Sequence, residues 1–156
     1  MIDVEVDDRA WTASVADVAD LARASAGVAA ALGEPGSIAI LLSDDATVRG
    51  LNARFRGEDH ATNVLSFPAP PNPEHHLGDI TLAYGVCAAE ARDQGKPLAN
   101  HLRHLVIHGV LHLLGYDHQS DAEAKRMEAI ECDLLAAMNV PDPYELVAAD
   151  DGQQRR

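Results

Sequence analysis

The stretch HLRHLVIHGVLHLLGYDH, residues 101–118, puts four histidines into a helical pattern and a fifth just beyond its end. At about 100° per residue, positions 108 and 112 lie about 40° apart on a helix surface. Two imidazoles one turn apart can converge on one ion. Gly115 then lets the chain leave the helix in a left-handed conformation. The turn that follows can swing His118 back toward the same ion. Three neutral imidazoles and a water make a tetrahedral zinc site with one exchangeable position, the arrangement of catalytic rather than structural zinc. The expected ligands of a single Zn2+ are therefore His108, His112 and His118. His101 and His104 share the stripe and compete for the role. They rank lower, because a zinc ion spans one turn and the open end of the site needs a group from beyond the helix. Position 109, where the zinc protease signature HExxH has its general base, is glycine.

Working outward, Leu98 to Leu114 reads as one long helix, with Gly95, Lys96 and Pro97 breaking the chain before it. Ser120 and Glu123 form a capping box for a following helix that turns Met127, Ile130, Leu134 and Met138 inward. Upstream, Ile2, Val4 and Val6 alternate as a strand, and Ser14 is the expected cap of a helix to about Leu32. Ser37 to Leu42 reads as a buried strand. Ser43 or Asp44 caps a helix ended by Gly57, with Val48, Leu51 and Phe55 near one face. Asn63 to Phe67 and Asp79 to Leu82 read as strands around a proline-containing loop, and Ala83 to Asp93 as a helix. The fold class is α/β (α+β): one domain over 1–140, a mixed sheet of about four strands packed with about five helices, and zinc at the end of a long helix. Residues 141–156 read as a flexible acidic tail.

The chain has 156 residues, 47% of them apolar and 24% charged, ordinary for a soluble domain with one core. Its start lacks the basic and apolar regions of a signal peptide, and no segment suits a membrane span. Cys87 and Cys132 form no CxxC pair. A cytoplasmic protein without membrane contact is the simplest reading. The net charge of −13 argues against nonspecific nucleic-acid binding over the whole surface, although Arg49, Arg54 and Arg56 form a small basic cluster.

Residues 104–118, with the blocks 51–68 (LNARFRGEDHATNVLSFP) and 77–80 (LGDI), resemble the signature of the bacterial YbeY family of rRNA maturation factors. The similarity runs from about residue 37 to 138. Phe55 stands where the family commonly has Tyr, and Asn63 where it has Asp. The resemblance implies a single-strand-specific endoribonuclease acting in small-subunit rRNA 3′-end maturation and ribosome quality control. It implies precursor ribosomal RNA, the small subunit and assembly proteins as partners. It gives the zinc-ligand role to the same three histidines, and makes Arg56 the match of a functionally important arginine. Arg56 is thus the expected catalytic residue, gripping a phosphate with its guanidinium. The competing readings are a metallopeptidase, suggested by the metzincin-like outline, and a noncatalytic zinc-containing assembly factor. Oligomeric state is not set by the sequence.

Overall fold

The computed structural model describes residues 1–145. The chain runs β1 (Ile2–Val6), α1 (Ala10–Ser14), α2 (Val18–Ala30), β2 (Ser37–Ser43), α3 (Asp45–Arg56), β3 (Val64–Pro68), β4 (His76–Ala83), α4 (Tyr84–Asp93), α5 (Leu98–Leu113) and α6 (Asp121–Ala137). The four strands form one mixed sheet in the order β1-β2-β4-β3. β1, β2 and β4 are parallel, and β3 is antiparallel to β4. This is the α+β architecture that the alternation of strand and helix patterns predicts, with six helices among the described residues.

Side chains alternate across the sheet because successive Cβ atoms point to opposite faces. Ile38, Ile40, Leu42, Ile80 and Leu82 belong to the main core, which α2 and α5 complete through Ala22, Ala26, Leu102, Ile107 and Leu111. Leu65 and Ala83 point the other way and form a smaller cluster with Val48 of α3. Asp44 caps α3 by accepting from the Thr47 backbone N–H at 2.7 Å, and Gly57 ends it in the left-handed region. The Ser120–Glu123 capping box is present at the start of α6. No helix among the described residues is long and apolar enough to cross a membrane.

The N-terminal helical region departs from the expected single helix capped by Ser14. Trp11 is completely buried, and its indole N–H donates to the Ser43 carbonyl at 2.9 Å. That anchor forms the short α1, and the extended Val15 separates it from α2. Ser14 therefore closes α1, and its hydroxyl meets that of Tyr84 at 2.5 Å. Asp17, not Ser14, precedes α2. Within the expected tail, Tyr144 folds back against α6; residues 146–156 lie outside the described part.

α5 approaches the β3–β4 ribbon closely at Gly109. A Cβ there would lie 3.1 Å from both Ile80 Cγ2 and Ser66 Oγ. The Ser66 hydroxyl donates to the Gly109 carbonyl at 3.2 Å. Gly109→Leu should therefore overpack the seam and cost about 1–3 kcal/mol. A lowered thermal midpoint checks this; an unchanged or raised midpoint would show that the seam has room.

Candidate metal centre

α5 carries His101, His104, His108 and His112 along one stripe, and burial decreases along it. His101 and His104 are buried, His108 and His112 half-buried, and His118 is exposed. The helix ends in a Schellman turn. The Tyr116 N–H donates to the Leu111 carbonyl and the Gly115 N–H to the His112 carbonyl, both at 3.0 Å. Gly115 takes φ +101°, a conformation that L side chains rarely adopt. The chain then reverses, and Asp117 Oδ1 accepts the His118 backbone N–H at 2.7 Å, fixing the turn.

The reversal brings three imidazoles together. One ring nitrogen from each of His108, His112 and His118 lies within 4.8 Å of the others, so the group could hold a metal ion. His108 Nε2 and His112 Nε2 are 3.1 Å apart. Two nitrogens bound tetrahedrally at about 2.0–2.1 Å stand about 3.3 Å apart, so these two are already spaced as ligands. An all-imidazole set suits a divalent transition metal. His112 is held below the usual histidine range, first by desolvation and then by His108 and His118, which favours the neutral, ligating form.

His101 and His104, the competing candidates, are held elsewhere. His101 Nε2 meets Glu90 Oε1 at 2.9 Å, and His104 Nε2 meets Glu131 Oε1 at 2.9 Å. Glu131 is wholly buried on α6. Its Oε2 faces His108 Nδ1 at 2.6 Å, and the Tyr144 hydroxyl donates to Oε1, the oxygen that meets His104. Burial pushes the Glu131 carboxyl upward, but hydrogen bonds from His104 and His108 outweigh it and hold the group at about 2. Glu131, Glu90 and Tyr144 were not among the sequence-derived candidates. The available signal was Glu131's place on the inward stripe of α6, between buried Met127 and Leu135.

Arg56 lines the same cleft as the three histidines, an opening of about 600 Å³ bounded by Asn63–Ser66 and Gly115–Gln119. It ends α3, and its guanidinium donates to the Ser66 carbonyl at 2.5 Å and lies 5.3 Å from the Phe67 ring centroid. The rest of the basic cluster is dispersed: Arg49 pairs with Asp59, and Arg54 covers Phe55. Asn63 donates to Glu90 at 3.0 Å. Asp79 pairs with His76 and does not line this cleft.

The sequence pattern of the family described as Endoribonuclease YbeY matches residues 2–139. A Paramagnetospirillum magneticum protein named Endoribonuclease YbeY is 50% identical over 155 residues, covering 92% of this chain and 94% of that one. A protein of the same name from Maricaulis maris is 50% identical over 145 residues, covering 92% and 91%. The solution structure of TM1509 from Thermotoga maritima shares the fold, with a TM-score of 0.56 at 21% identity over 99% of this chain and 100% of that one. With the pattern spanning nearly all described residues and half of the positions shared with these relatives, the chain belongs to the Endoribonuclease YbeY family.

Proposed function

We propose that the chain is a zinc-dependent endoribonuclease that cuts single-stranded RNA, acting in 3′-end maturation of small-subunit ribosomal RNA and in ribosome quality control. Membership of the family makes it a hydrolytic endoribonuclease. The observation that carries the metal and site reading is one open cleft lined by a convergent histidine triad and by Arg56. The single-strand preference, the ribosomal target and the assembly-protein partners rest on the family resemblance, and a cytoplasmic location on the reading of the sequence. A net charge of −13 repels free RNA, so docking to the small subunit fits this surface better than unaided capture.

His108, His112 and His118 would hold one zinc per chain. When bound, the ion supplies Lewis-acid polarisation of a phosphoryl oxygen as negative charge builds in the transition state. Arg56 grips the phosphate. The Ser66 carbonyl takes one N–H of a guanidinium that carries five, and so anchors the side chain at the cleft wall. The planar fork suits two phosphate oxygens at once. Peptide hydrolysis by the metzincin route lacks its base: position 109 is glycine, and a Cβ there would sit 3.1 Å from Ile80 Cγ2 and Ser66 Oγ.

Elemental analysis of the purified protein should find about one zinc per chain, and His112→Ala should release it. Full retention in that variant would remove His112 from the ligand set. Arg56→Ala should keep the zinc and the thermal midpoint while cleavage of single-stranded RNA slows roughly a hundredfold. Arg56→Lys should recover only part of the rate, because an ammonium keeps the charge without the fork. Wild-type cleavage by Arg56→Ala would strike Arg56 from the site.

A further inference from the structure

We propose that Glu131 is a positioning residue of the metal centre: it fixes the tautomer and orientation of His108, and by holding His104 it selects which histidines of the α5 stripe face the ion. This rests on the reading of His108, His112 and His118 as ligands.

The placement of Glu131 calls for such a role. It is wholly buried, with neighbours Met127 and Leu135 on the same inward stripe also buried. A leucine there would pack without desolvating a charge, and buried ionic groups are often no more stabilising than apolar replacements. The carboxylate instead collects three donors from two segments: His104 Nε2 at 2.9 Å and His108 Nδ1 at 2.6 Å from α5, and the Tyr144 hydroxyl from the turn after α6. An ionised carboxylate can only accept hydrogen bonds. His108 must therefore carry its proton on Nδ1, which leaves the Nε2 lone pair as its ligand atom. That Nε2 is the nitrogen found 3.1 Å from His112 Nε2.

The same carboxylate sorts the stripe. His104 spends its Nε2 on Glu131, just as His101 spends its Nε2 on Glu90 of α4. Carboxylates on α4 and α6, two of the helices packed beside α5, thus withdraw the first two histidines and aim the third. Three neutral imidazoles leave the charge of a divalent ion uncompensated. A carboxylate one ring away makes His108 a more basic ligand, and such partners typically contribute 10–100-fold in metal affinity.

The test compares wild type with Glu131→Gln and Tyr144→Phe, using Zn2+ competition against a chelating dye, visible absorption of the Co2+ form, and the thermal midpoint of the metal-free protein. Glu131→Gln should bind Zn2+ roughly 10–100-fold more weakly and shift the Co2+ spectrum. Tyr144→Phe leaves the His108 contact in place and should keep near-wild-type affinity and spectrum. Wild-type affinity and spectrum in Glu131→Gln would overturn the inference. An equal affinity loss in Tyr144→Phe would do the same, because any break in the network would then matter and His108 would not be special. If Glu131→Gln does not fold, 15N shifts of the metal-loaded wild type decide: Nδ1 protonated and Nε2 metal-bound on His108 is expected, and the reverse refutes it. Failure of wild type to bind either ion would instead refute the histidine centre itself, an outcome distinct from normal binding by Glu131→Gln.

Discussion

The close approach of α5 to β3 and β4 at Gly109 governs the geometry of the rest. A missing Cβ lets the helix backbone come near enough for the Ser66 hydroxyl to reach the Gly109 carbonyl. That contact puts His108 beside β3, whose Ser66 carbonyl also anchors Arg56 from the end of α3. One glycine therefore brings together a helix-borne histidine cluster and a strand-anchored cation, and it leaves that position without a side-chain base. The Schellman turn completes the cleft by returning His118 to the helix end.

Around this seam the core is apolar on one side and ionic on the other. Toward the sheet, α5 buries Leu102, Val106, Ile107, Val110 and Leu111 in a continuous cluster. Toward α4 and α6 it buries imidazoles that need partners, because an unsatisfied polar group in the interior costs about 1–3 kcal/mol. Glu90 and Glu131 meet that need at the Nε2 atoms of His101 and His104, while the buried Nδ1 of each ring has no hydrogen-bond partner among the described residues. The low-dielectric setting strengthens these contacts and keeps His104 below its usual range through desolvation, against the opposing pull of Glu131. The buried Glu131 carboxylate thus joins the packing of α6 on α5 to the proposed metal centre through His104 and His108.

Much of this was legible in local sequence, where local physics decides. The i, i+4 histidines and the Gly-x-x-His exit depend on helix periodicity and on a left-handed glycine, and both appear as read. The Ser120 capping box is equally local. Tertiary contacts were less visible. Nothing near Ser14 announces that Trp11 will bond to Ser43, more than thirty positions away in the sequence, and split one helix into two. Glu131 resembles the other acids of α6 until the helix is docked, and only its position on the inward stripe distinguishes it. Sequence placed Arg56 through resemblance alone; a helix-end arginine is ordinarily a solvated cation that favours the dipole, and its place on the cleft wall depends on how α3 meets β3.

X-ray absorption at the zinc edge of the purified protein tests the centre most directly. A tetrahedral three-histidine site gives about four nitrogen or oxygen neighbours at roughly 2.0–2.1 Å, with the outer-shell pattern of three imidazoles. Sulfur neighbours near 2.3 Å, fewer than three imidazoles, or no protein-bound zinc would contradict it.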